Sequence, residues 1–223
     1  MNQEHTNLLS LSEYCTLISK KTNMPYLDKE NNVYIFDTLI DANEFIKSAA
    51  DTTVSDKEIL KPSFFITYMY GLGAENVCVK KGDKEDFITI PVDKADTKKD
   101  FFNPSANRNL LRLLQTGDKK YLRNLKEDIF LCPVKIDKRQ AKKYSSIHYA
   151  CAKLKDDKKF YLLFTTLDEF NKWNEAQGKN CLPLEVNMIK ESQIRRNNPV
   201  IINPLSNKVI LNDRYLKLIL KKE

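Results

Sequence analysis

The chain has 223 residues, 42% of them apolar and 30% charged, and a net charge of +7. That balance suits one large or two small packed domains and excludes a disordered polar chain. Five glycines are too few for a nucleotide fold built on Gly-rich phosphate loops, and no apolar run nears the ~20 residues that span a bilayer.

In chain order, residues 7–21 place Leu8, Leu11, Tyr14, Cys15 and Ile18 at helical spacing and predict an amphipathic helix. "MPYLD" follows as a short strand, then the polar turn "KENN" and the strand "VYIF", Val33–Phe36. Thr38 is placed to cap a helix, with Asp41 three residues on and Ala42, Phe45, Ile46 and Ala49 facing inward. Ser55 with Glu58 fits a capping box for a second short helix, which Pro62 would end. "FFITYMY" (Phe64–Tyr70) and "NVCVKK" (Asn76–Lys81) read as a hairpin around Gly71 and Gly73, and "DFITIPV" as a further strand.

Residues 93–102 are charged and aperiodic and predict a linker. A helix is expected over Asn103–Gly117, with Gly117 as its C-terminal cap, and a shorter one over Asp118–Glu127. "IFLCPVKI" (Ile129–Ile136) reads as a strand whose Pro133 suggests an edge or a bulge. "IHYACAKLK" and "KFYLLFT" read as two strands, and a helix follows from Thr166. After "LPLEV" and a short helix around Met188–Ile194, "PVIINPLSNKVIL" predicts two strands about a turn containing Asn203, Pro204, Ser206 and Asn207. A helix, "DRYLKLILKK", comes last, with basic residues at the end the helix dipole favours.

Residues 26–46 and 154–174 align at an offset of 128 with five identities: Asp28/Asp156, Phe36/Phe164, Thr38/Thr166, Leu39/Leu167 and Asn43/Asn171. Both stretches run strand, Thr-capped helix, short helix, proline (Pro62, Pro199) and apolar strand. The expected architecture is therefore α+β with two related halves, residues 1–100 and 103–223, each a small mixed or antiparallel sheet packed by helices. In the second half, Thr166 would accept from the N–H of Glu169 while Glu169 reaches back to the N–H of Thr166. Leu167, Phe170 and Trp173 would pack down on one face. Thr165 and Thr166 as nucleophiles would need a base within hydrogen-bond reach, and the neighbouring sequence supplies none.

From Asn103 to the end, the order of "NRNLLRLL", "FLCPVKI", "FYLLFTTLDEFNKW" and "PVIINPLSNKVIL" resembles the SseB N-terminal-domain family, bacterial proteins named for enhanced serine sensitivity. The residues carrying the resemblance are Phe164, Thr165, Thr166, Glu169 and Trp173 and the Asn203-Pro204 pair. Asn198-Pro199 stands where family members often have glycine. The resemblance implies a non-enzymatic accessory or protein-interaction module, with no catalytic residues to carry over and the first half as a degenerate copy.

The residues themselves point the same way. The five cysteines are dispersed with no C-x-x-C, which argues against disulfides and a zinc knuckle and for reduced, mostly buried thiols. His148 and Cys151, three apart on one expected strand, would face opposite ways. No His/Cys/Asp/Glu spacing suggests a metal and no motif suggests a cofactor, so the expectation is none of either. With no secretory pattern at the N-terminus, a cytoplasmic location is expected.

Charge is unevenly spread: residues 1–102 carry 12 basic and 17 acidic residues, and residues 103–223 carry 25 and 13. Lys135, Lys138, Arg139, Lys142 and Lys143 crowd nine positions, Lys119, Lys120 and Arg123 form a second group, and Arg195 with Arg196 a third. Either these are solvated surface or the second half contacts DNA, RNA or another polyanion. The expected partner is a protein, with a polyanion as the alternative.

Overall fold

The computed structural model describes residues 12–48, 51–56, 58–59, 61–82, 84–89, 103–136, 147–149, 151–153, 159–174, 179–186 and 199–219. The protein is α+β, with helices beside small mixed and antiparallel sheets. It divides into two compact units: Met1–Thr97 with Leu114–Gly117, and Lys98–Leu113 with Asp118–Glu223. The expected linker at 93–102 and the expected helix around Met188–Ile194 lie outside the described residues.

The first unit is built on β1 (Glu13–Ser19), β2 (Asn32–Phe36), β5 (Asn76–Lys81) and β6 (Lys84–Thr89), adjacent in that order. β1–β2 is antiparallel, β2–β5 parallel and β5–β6 antiparallel. Two short strands, β3 (Thr52–Val54) and β4 (Glu58–Ile59), pair antiparallel with the other edge of β1. The helix α1 (Leu39–Phe45) follows β2, and α2 (Pro62–Leu72) precedes β5. Cys15, Leu17, Phe36 and Ala42 form a core cluster, with Tyr34, Phe45 and Val54 packed against it.

Three expectations fail here. The N-terminal segment is a strand where it is described, not a helix. Tyr14, Cys15, Thr16 and Leu17 are all buried, so both faces of β1 are covered. A strand buried on both faces shows no alternation and can imitate a helix. Its polar member is satisfied by the sheet: the Thr16 hydroxyl donates to the Tyr34 carbonyl at 2.7 Å.

Ser55 does not cap a helix. Its N–H donates to the Thr16 carbonyl, and its Oγ accepts from the Thr16 N–H at 2.9 Å. Glu58 accepts from the Tyr14 hydroxyl at 2.9 Å. The segment is thus drawn out along β1. "MPYLD" contributes one bridge, Pro25 to Ile18.

"FFITYMY" is helical. Pro62 opens the helix instead of closing one, because a helix N-terminus does not need the missing N–H. Gly73, at φ 87°, ends it in the left-handed region. Phe65, Met69 and Leu72, at helical spacing, are buried, and this tertiary burial overrides the strand preference of the aromatic residues.

The second unit contains α3 (Pro104–Thr116) as far as Leu113, α4 (Lys120–Arg123), a 3-10 turn (Asn124–Glu127) and β7 (Ile129–Ile136). Then come β8 (Ile147–Tyr149), β9 (Cys151–Lys153), β10 (Lys159–Leu163), α5 (Leu167–Asn174), β11 (Asn180–Glu185), β12 (Val200–Ile202), β13 (Val209–Leu211) and α6 (Asp213–Ile219). One sheet runs β13-β12-β10-β9 and the other β11-β7-β8. Paired backbone bonds between Leu131 and Phe164, at 2.8 and 2.9 Å, join them. "IHYACAKLK" is therefore two strands serving different sheets. Pro133 sits in a central strand, but β8 pairs only with Val134–Ile136, so the residue without an N–H falls just outside that ladder.

The two units share part of a strand pattern. β10 is antiparallel to β9 and parallel to β12, and β12 is antiparallel to β13, as β2 is antiparallel to β1 and parallel to β5, and β5 antiparallel to β6. The counterpart of β1 is divided between two strands: β3 follows α1 and pairs with β1, whereas β11 follows α5 and pairs with β7, not with β9. The offset of 128 carries into the cores. Phe36 is paired across the sheet with Cys15 and Phe164 with Leu131. The Phe36 and Phe45 rings lie 5.5 Å apart, as do those of Phe164 and Trp173. The likeness fails at the prolines, since Pro62 starts a helix and Pro199 precedes a strand.

Candidate functional site

The residues around Thr166 come together as a joint. Thr166 caps α5 by accepting from the N–H of Glu169 at 3.1 Å. The reciprocal bond is replaced: Glu169 Oε2 accepts from the Ser206 hydroxyl at 2.7 Å, tying the helix to the turn after β12. Thr165 is fully buried. Its N–H donates to Asn203 Oδ1 at 3.0 Å, its Oγ1 accepts from Asn203 Nδ2 at 2.8 Å, and its carbonyl accepts from the Asn103 N–H at 3.0 Å. Asn203 holds φ 46° to make this geometry, a conformation asparagine tolerates better than most residues. Pro204 follows, half-buried. Phe164, Phe170 and Trp173 pack as rings 5.5–6.2 Å apart. A threonine hydroxyl sealed from solvent and bonded to an amide is a structural fastener.

Of the polyanion candidates, Lys135 lies in β7, with its backbone paired opposite His148 of β8. Lys138, Arg139, Lys142, Lys143, Arg195 and Arg196 lie outside the described residues. His148 and Cys151, expected on one strand, fall on β8 and β9. Of the earlier basic group, Lys119, Lys120 and Arg123 are exposed at α4, which packs against α6.

The buried thiols are poor nucleophiles. Burial first, then the fields of Cys151 and Cys181, pushes the Cys132 thiol up to about 12. Cys78 is raised by burial and by donating to Glu85 Oε1 at 2.9 Å. In both the thiol form prevails near neutral pH, whereas attack needs the thiolate. All five cysteines are thiols outside any disulfide, with Cys151 exposed. Among the described residues, no three His, Cys, Asp or Glu side chains gather as metal ligands, and no helix is long and apolar enough to cross a membrane.

One exposed feature escaped the sequence reading because α2 was expected to be a strand. Phe64 and Tyr68, one helical turn apart, are 71% and 38% exposed, and their rings lie nearly parallel at 6.4 Å. Ile59, on the preceding strand β4, is 72% exposed. The Phe65/Met69/Leu72 stripe fills the core side of the helix, and Phe64 and Tyr68 lie on its more exposed side.

No family model, no curated protein and no solved structure matches the chain.

Proposed function

We propose that the chain is a non-enzymatic, intracellular accessory module of the SseB-like kind that binds another protein through the outer face of α2. The observation that carries this reading is the Phe64–Tyr68 pair, whose exposed rings can enter an apolar pocket at little further entropic cost. Residues 1–102 carry 17 acidic against 12 basic residues, so the complementary partner surface is apolar with a basic rim. The reading takes the two units as copies of one ancestral unit. The matching strand order and the Phe36/Phe45 and Phe164/Trp173 ring pairs support this.

Capture from the native cell extract, with nuclease and salt controls, tests the proposal. Wild-type protein is expected to retain a partner protein that Phe64→Ser/Tyr68→Ser protein loses. Equal retention by both, or retention of nucleic acid alone, would overturn it.

A second reading is contact between the basic half and a polyanion, favoured by the 25 basic and 13 acidic residues of 103–223. It requires binding whose log affinity falls linearly with log salt.

A further inference from the structure

We infer that the outer surface of the α4–α6 helix pair is a phosphate-binding strip for nucleic acid, distinct from the basic segment at 135–143; this rests on the second reading above. α4 and α6 pack against one another within the second unit. Each buries its apolar residues, Leu122 in α4 and Leu216 with Ile219 in α6. What the two helices expose is largely cationic: Lys119, Lys120 and Arg123 on one, Arg214 and Lys217 on the other.

Two of these charges are committed. Lys120 pairs with Asp118 at 3.1 Å and Lys217 with Asp213 at 2.6 Å. Lys119, Arg123 and Arg214 have no ion pair among the described residues. Three cations with no ion pair among the described residues, on adjoining helices, form a local field that favours a repeating anion.

The strip suits phosphates better than a lipid surface or bases. A helix lying on a membrane inserts an apolar face, but none of the exposed large apolar residues belongs to α4 or α6. Two aromatic rings lie on the pair, Tyr121 in α4 and Tyr215 in α6, and both are half-buried; Lys120 Nζ is 5.0 Å from the Tyr121 centroid, and the Tyr121 hydroxyl accepts from Arg112 at 3.1 Å. Neither is among the exposed large side chains that would serve for base stacking. Recognition is therefore of the backbone and independent of sequence.

Fluorescence anisotropy with mixed-sequence duplex DNA and single-stranded RNA oligonucleotides, from low to moderate salt, tests this. Each duplex phosphate neutralised contributes about 0.9 to the salt slope, so three cations give a slope near ~2.7 and roughly 40-fold weakening from 50 to 200 mM salt. Lys119→Glu/Arg123→Glu/Arg214→Glu is expected to abolish binding, all three side chains being exposed. The comparison variant, Lys138→Glu/Arg139→Glu/Lys142→Glu/Lys143→Glu, should keep most of it. Unchanged Trp173 fluorescence establishes that each variant is folded. If the second variant loses binding and the first keeps it, the placement on α4–α6 is wrong but the nucleic-acid reading stands. If wild-type protein binds neither oligonucleotide at low salt, both fall. Binding to vesicles of anionic lipid without binding to either oligonucleotide would overturn the choice of ligand.

Discussion

Thr38 and Thr166 occupy the same place in the two units, each ending a core strand and starting a helix, but their surroundings differ. Thr38 is exposed, accepts from the Asp41 N–H at 3.1 Å and donates to Asp41 Oδ2 at 2.8 Å; its distant ties are longer ones, its carbonyl accepting from the Cys15 thiol at 3.5 Å and Asp41 Oδ2 from the Gly82 N–H at 3.3 Å. Thr166 is reinforced from a distance. Its neighbour Thr165 is clasped by Asn203, and Glu169 is held by Ser206. At the offset of 128, Asp37 stands where Thr165 does, and its Oδ1 is buried without a hydrogen-bond partner among the described residues. By strand register, the position of Asn203, next after Ile202, corresponds to Lys80, next after Val79. Lys80 turns instead to Glu85 at 3.0 Å and lies 4.6 Å from the Phe45 ring centroid. The strand-to-helix corner is thus closed by a neutral buried clasp in one unit and by charges near the surface in the other. A buried clasp holds its geometry strongly because its bonds have no competing water.

The largest effect should come from what the units share. Phe164→Ala and Phe36→Ala each empty a fully buried ring site and should each cost about 4 kcal/mol. Amide hydrogen exchange resolved by unit is the appropriate measure, since two units need not unfold as one. A large cost in one unit and a small one in the other would break the equivalence. Next comes what they do not share. Asn203→Ala leaves the Thr165 N–H without its acceptor in a fully buried setting and should cost about 3 kcal/mol. Lys80→Ala, removing a partly exposed ion pair, should cost less than about 1 kcal/mol. Trp173, the single tryptophan, reports the Asn203 effect directly through urea unfolding followed by fluorescence.

Much of the second unit was legible in the sequence because its signals are local. Thr166 with Glu169 and the Asn203–Asn207 turn act within a few residues. The first unit hid its fold because non-local burial decides it. "EYCTLIS" is a strand only because partners cover both its faces, and "SFFITYMYGL" is a helix because Pro62 and Gly73 frame it and Phe65 has Tyr14 to pack on, rings 5.0 Å apart. The Asn203–Thr165 clasp joins residues 38 apart and has no spacing signature. The α4–α6 surface was half legible: Lys119, Lys120 and Arg123 stood out as a group, but their meeting with Arg214 and Lys217 depends on tertiary packing.

The caps themselves allow a finer test. Thr166→Ala and Thr38→Ala each remove one N–H acceptor at a helix start and should each cost about 1 kcal/mol. The loss of Thr166 should also loosen Glu169 from Ser206, so exchange should quicken in the β12–β13 turn as well as in α5. Thr38→Ala should reach beyond α1 more weakly, through the longer 3.3 Å bond from the Gly82 N–H to Asp41 Oδ2. Spreading in the first unit and confinement in the second would reverse the comparison.

The smallest effects concern acid, where the two units hold carboxyl groups shifted in opposite directions. Glu85 is held below the usual carboxylate range, chiefly by the Cys78 thiol that donates to it and then by Lys80. Its contribution is present above the unfolded value of about 4.3 and is lost as pH falls through the lower folded value. Asp128 is raised by burial, against the hydrogen bonding of Ser105, Asn109 and Asn103, and its Oδ2 has no partner among the described residues. Its charge therefore opposes folding near neutral pH, and that opposition is relieved as pH falls through the raised value. Glu85→Gln should lower the stability of the first unit at pH 7, with the deficit shrinking in acid. Asp128→Asn should raise that of the second unit at pH 7, with the gain shrinking in acid. Exchange-derived stabilities at pH 7 and pH 4 measure both. If Asp128→Asn destabilised at pH 7, the three hydrogen-bonding neighbours would outweigh burial. The carboxylate would then act as a fastener comparable to Asn203.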